Sequence, residues 1–295
     1  MKLGLGMRKQ QLEERNLLFL KQMGVTHAMV FMPDASVLPS AADGYWSYED
    51  LKSLREHLER HGFVFEAIEN FVPAHWHHIL LDGPERARQM ENIKKSIRNM
   101  GKAGIPIMGY NFSIGGVCGV HRGPYARGGA ITAAYDAEED TIKDVPIPYG
   151  FAWNTQIEKD VPQGSIGRVS EERMWDRLTR FLQEILPVAE EAGVQMAAHP
   201  EDPPNLEMRG VARLLVRPER YDRLFSIRNS DANRVEFCQG TFSEMPGVDI
   251  YEAIRKFAGM GKISYVHFRN VIGKLPKYEE GFIDEGDTDM FRAMR

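Results

Sequence analysis

Cysteine is scarce in this chain: Cys118 and Cys238 are the only two among 295 residues. Two thiols cannot build a disulfide framework, which points to a reducing compartment, and the cytoplasm is the expected location. Long hydrophobic runs are missing as well. No apolar stretch approaches the roughly 20 residues that span a bilayer, so no membrane partner is expected. The opening MKLGLGMRKQ is broken by Arg8 and Lys9 and offers no signal-peptide core. Positive charge is not in excess. The net charge is -5 and the pI about 6.0, which argues against a nucleic-acid partner and for a small-molecule substrate. No G-x-G-x-x-G follows a strand-like run. Gly115, Gly116, Gly128 and Gly129 lack the Lys-Ser/Thr ending of a phosphate cradle and read as loop glycines. With no short repeat and no low-complexity linker, residues 1–295 read as a single domain.

What is present is an alternation of short apolar runs with longer amphipathic ones. Strands are predicted at 2–7, 26–32, 63–69, 105–112, 194–199, 234–238 and 262–268. Helices are predicted at 10–23, 47–61, 84–102, 170–192 and 249–259, with Ser47 as an N-cap and Gly24 and Gly104 as stops. A last helix starts near residue 289. A glycine-rich stretch, about 113–168, breaks the rhythm as an inserted loop region. This pattern implies an α/β chain with a parallel sheet. The reading is a (β/α)8 TIM barrel lacking its last strand, with an open doubly wound sheet as the alternative. Closure needs an eighth strand, so the parent gene is expected to continue past Arg295.

Barrel enzymes place their chemistry where strands end. Three consecutive predicted strands end in His199, Cys238 and His267. One such residue alone is commonly a core or hydrogen-bonded group. Three at equivalent ends match the three-ligand pattern of catalytic metal sites. Imidazole and thiolate suit Mn(II), Fe(II), Co(II) or Zn(II) better than Ca(II) or Mg(II). Other strand ends are polar too: Glu69 and Asn70, Tyr110 and Asn111. Arg269 and Asn270 directly follow His267. Arg269 reads either as a clamp for a substrate carboxylate or as a salt bridge at the barrel rim. Asn70 and Asn111 read either as loop caps or as substrate contacts. The run His75-Trp76-His77-His78 suits no single helix face and reads as a solvated loop.

These residues carry a resemblance to the D-mannonate dehydratase family. The matching segments are H-P-E-D-P-P from His199, F-C-Q-G-T from Phe237, V-H-F-R-N-V from Val266 and D-E-G-D-T-D-M from Asp284. IRNMGKAGIPIMGYNF from Ile97, and the opening KLGLGM with QMGVTH, are similar as well. The resemblance implies a barrel of the xylose-isomerase type, with a metal, usually Mn(II), held by His199, Cys238 and His267. It also implies an aspartate ligand and a catalytic histidine on a final strand, neither of which this sequence contains. The loop after Y-N-F departs from the family's tryptophan- and arginine-rich pattern, which leaves substrate identity open. The implied activity is a hydro-lyase reaction: dehydration of a sugar acid to a 2-keto-3-deoxy acid. A sugar isomerase or epimerase, or a non-catalytic sugar-acid-binding homologue, is the alternative. Expected proton-transfer groups are His121, Tyr110 and Tyr125. Expected substrate contacts are Arg269, Asn270, Asn111 and Glu69. A sugar acid is the expected partner, and self-association into a homo-oligomer is left open.

Overall fold

In a computed structural model, which describes residues 2–295, the chain divides into two compact units. The first holds residues 1–110, 181–197 and 230–233. Its strands Gly4–Met7, His27–Phe31, Val64–Glu69 and Ile107–Tyr110 pair in parallel in chain order. Gln195 extends the pattern by donating to the Pro106 carbonyl at 2.8 Å. Parallel pairing requires crossovers, and helices supply them. Helix Tyr48–Arg60 begins where the Ser47 hydroxyl accepts from the Asp50 amide at 3.1 Å, and it buries Leu51, Leu54 and Leu58 on one face. Helix Arg86–Ala103 buries Met90, Ile93, Ile97 and Met100 and stops at Gly104, whose φ of 72° a side chain would strain. The predicted helix at 10–23 is a 3-10 turn, Lys9–Leu12, followed by helix Glu14–Gln22.

The histidine run corrects the sequence reading. His75, His77 and His78 lie in a buried helix, Pro73–Leu81, not in a solvated loop. Pro73 at its first turn is a start signal, and its apolar residues surround the axis, so no amphipathic stripe marks it.

The second unit holds residues 111–180, 198–229 and 234–295. Strand Asn233–Cys238 enters it and pairs in parallel with Ile263–His267, placing Cys238 opposite His267. The inserted loop region expected at about 113–168 contains strands. Strands His121–Ala126 and Ala130–Asp136 form an antiparallel hairpin. A second hairpin, Asn270–Lys274 with Lys277–Gly281, joins it through Tyr278 opposite Tyr135, making a four-stranded antiparallel sheet. Behind it, Cys118, Tyr135, Met208 and Tyr278 form a buried cluster. Seven parallel strands are present among the described residues, and helices connect most of them, as the barrel reading requires.

Candidate metal centre

His199 lies one residue past strand Gln195–Ala198, while Cys238 and His267 are the last residues of their strands. One ligand atom from each lies within 4.8 Å of the others, and the two imidazole centroids are 5.4 Å apart. The backbone fixes how His199 is presented. Its Nδ1 donates to the Pro200 carbonyl at 2.5 Å, and Asn111 Nδ2 donates to the same carbonyl at 3.1 Å. A carbonyl only accepts, so Nδ1 carries the proton and Nε2 is the nitrogen left to bind a cation.

The electrostatics favour an anionic sulfur. Burial opposes the Cys238 thiolate, but Arg269 and His199 outweigh burial and hold the thiol well below its ordinary range. The Thr241 hydroxyl donates to Cys238 Sγ at 3.1 Å. Burial alone would lower the His199 imidazole, yet Glu236 and Cys238 push it up to about 9. Two imidazoles and a thiolate converging on one point form a donor set that fits a transition-metal ion.

Arg269 is neither a free clamp nor an exposed rim residue. Its Nη2 is shared by Asp202 Oδ2 at 2.8 Å, Glu244 Oε1 at 2.7 Å and the Thr241 hydroxyl at 3.0 Å. Glu244 is fully buried, and its carboxyl is raised by burial against the opposing pull of Arg269. Tyr278 donates to Asp202 Oδ1 at 2.9 Å, which completes a network behind the cysteine. Gly240 makes room for it, since a Cβ there would fall 2.3 Å from Arg269 Nε. The guanidinium therefore serves as a counter-ion to the Asp202 and Glu244 carboxylates.

Two other expected substrate contacts are also engaged internally. Asn270 Nδ2 donates to the Ile283 and Thr288 carbonyls at 2.9 and 3.0 Å, and its Oδ1 accepts from the Val271 and Thr288 amides. It staples the 283–288 segment. The Asn111 amide holds Pro200, so Asn111 orients His199. Glu69 is buried at the end of its strand in the first unit.

Among the expected proton-transfer groups, Tyr110 is a core residue. Its ring is fully buried 5.7 Å from that of Phe181, and burial drives its hydroxyl pKa far up, which disfavours a base. His121 and Tyr125 sit on the hairpin, edge to face at 5.6 Å, with Glu139 4.0 Å from His121. Sequence reasoning missed Glu236, Asp202, Thr241 and Glu244. The signal available for Glu236 was its place two residues before Cys238, on the same strand face.

Comparison with known proteins identifies the family. The family described as D-mannonate dehydratase (UxuA) matches residues 13–295. "Mannonate dehydratase 2" of Halalkalibacterium halodurans is 33% identical over 250 residues, covering 80% of this chain and 70% of that protein. The crystal structure of mannonate dehydratase from Streptococcus suis serotype 2 superposes with a TM-score of 0.80 at 26% identity, covering 99% of this chain and 80% of that one. A xylose isomerase domain protein from Planctomyces limnophilus shares the fold alone, with a TM-score of 0.59 at 13% identity over 99% of this chain and 84% of that one. The expected α/β barrel class stands, and the chain belongs to the D-mannonate dehydratase family.

Proposed function

We propose that this chain dehydrates a sugar acid of the D-mannonate type, using one divalent metal ion held by His199, Cys238 and His267. The observation that carries this is the convergence of those three ligand atoms within 4.8 Å in a chain of this family. A base removes the proton α to the carboxylate, the neighbouring hydroxyl leaves as water, and the enol tautomerises to the 2-keto-3-deoxy acid. That proton is weakly acidic, and a bound ion supplies Lewis acidity to stabilise the charge that develops when it leaves. Mn(II) is the ion we assign, with Fe(II), Co(II) and Zn(II) compatible with the same donors.

The chain's own residues supply the rest. Asn111 and the Pro200 carbonyl orient His199, and Arg269 favours the Cys238 thiolate. We assign proton transfer to His121 and Tyr125, the two expected groups whose side chains are not sealed in the core. Residues 1–295 act as one catalytic domain in this reading, with 113–168 setting the choice of sugar acid. No helix among the described residues is long and apolar enough to cross a membrane. Two free cysteines support a reducing compartment such as the cytoplasm.

The test is to incubate the Mn(II)-loaded protein with D-mannonate in deuterated water and follow it by NMR. Loss of the C2 proton with formation of a 2-keto-3-deoxy acid is expected. An isomer or epimer formed without loss of water, or no turnover, would overturn the assignment.

A further inference from the structure

We propose that Thr241 is a positioning residue for the metal centre, whose hydroxyl aims the Cys238 sulfur and draws charge from it through a hydrogen bond. The inference rests on the three-residue centre described above. Thr241 follows Cys238 by three residues, in the short helix Gln239–Glu244 that begins where the strand ends, and it is completely buried. Its oxygen lies 3.1 Å from Cys238 Sγ, 3.3 Å from Asp202 Oδ2 and 3.0 Å from Arg269 Nη2. A guanidinium can only donate, so the oxygen accepts from Arg269 and its single hydrogen has two acceptors to choose between. The separation from Asp202 exceeds the roughly 2.5–3.0 Å of an O–H···O bond. That carboxylate is also served already, by Tyr278 at Oδ1 and by Arg269 at Oδ2, at 2.9 and 2.8 Å. Sulfur is the larger atom, and 3.1 Å is a close approach to it, so the hydrogen goes to Cys238.

The hydroxyl is held from behind. Arg269 Nη2 is itself fixed by Asp202 and Glu244, and Gly240 leaves the space through which the guanidinium reaches Thr241. Turning the hydroxyl away would therefore break its bonds to both Arg269 and the sulfur, in a place without room for a replacement partner. A thiolate that accepts a hydrogen bond is kept in one rotamer and gives less charge to a bound cation. The ion then stays more electrophilic toward a substrate oxygen. The alternative is that Thr241 only fills space beside the sulfur.

Co(II) titration of the full chain separates these roles, because the thiolate-to-cobalt charge-transfer band in the near-ultraviolet reports how firmly the sulfur holds its electrons. Wild type, Cys238→Ser, Thr241→Val and Thr241→Ser would be compared. Wild type should show the band and Cys238→Ser should lose it. Thr241→Val keeps the shape and removes the hydrogen bond, so its band should move to longer wavelength, since an unbonded thiolate gives up charge more easily. Thr241→Ser restores the hydroxyl and should return the band to the wild-type position. An unmoved band in Thr241→Val, or the same displacement in Thr241→Ser as in Thr241→Val, would reject the hydrogen bond as the cause and leave the three-residue centre standing. A wild type with no thiolate band would overturn the centre itself, and this inference with it. Should Thr241→Val fail to fold by circular dichroism, Thr241→Ala takes its place: a band at longer wavelength is expected, and an unmoved band overturns the assignment.

Discussion

Two places in this chain gather histidines, and their chemistry is opposite. In helix Pro73–Leu81, His75 Nε2 donates to the Ala41 carbonyl at 2.8 Å, and His77 Nδ1 accepts from Gln89 Nε2 at 3.1 Å. Burial lowers the His75 pKa, against a smaller upward pull from that carbonyl, so it is a neutral core imidazole. His199 is buried too, yet it faces Glu236 and Cys238 and is pushed up. The cysteines repeat the contrast. Cys118, packed near Met208 and Tyr135, is raised by burial, whereas Cys238, near Arg269 and two imidazoles, is held low. Burial alone does not make a site; the groups across from the buried atom decide whether it packs or binds.

The largest test of this contrast is at His267. Replacing it with Ala removes a proposed ligand and should lower kcat/KM by about 1,000-fold or more, the scale of roughly 4 kcal/mol of transition-state stabilisation. His75→Leu should leave kcat/KM within about threefold, well under 1 kcal/mol. Equal losses in steady-state assays of the two variants would erase the distinction. A smaller effect is expected at Asn111. Asn111→Ala frees the Pro200 carbonyl that orients His199, and metal affinity should fall by about 10- to 100-fold with the fold retained. Unchanged affinity in a metal-buffered titration would show that His199 needs no such support.

The smallest effect concerns stability. His75→Leu leaves the Ala41 carbonyl without its imidazole and should cost about 1–3 kcal/mol at pH 7. The folded pKa of His75 is depressed below its ordinary 6.5, so its contribution is complete above that value and is lost as pH falls toward the folded pKa. The stability gap between wild type and His75→Leu should therefore narrow between pH 7 and pH 5 in urea unfolding. A gap that widens on acidification would mean that His75 is a charged partner.

The parallel strands were legible because their apolar runs and glycine stops are local signals. The ranges expected at 26–32 and 194–199 fall within two residues of His27–Phe31 and Gln195–Ala198. The antiparallel sheet was not legible, because pairing Lys277 with Asp136 is a contact between distant segments. Helix Gln239–Glu244 is short and buried throughout, so it has no amphipathic period to read. At the site, the three proposed ligands followed from their position at strand ends. The partners of Arg269 and Asn270 did not, because hydrogen bonds to Glu244, Asp202 and the 283–288 backbone depend on how the chain returns. The sequence reveals which groups are polar but not which are already satisfied.

His199, Cys238 and His267 are proposed to hold one metal ion, and the helix histidines none. Elemental analysis of wild type, His267→Ala and His77→Asn, each loaded with Mn(II) and desalted, tests this most directly. About one ion per chain is expected in wild type and in His77→Asn, with little in His267→Ala. An ion retained by His267→Ala, or lost from His77→Asn, would contradict it.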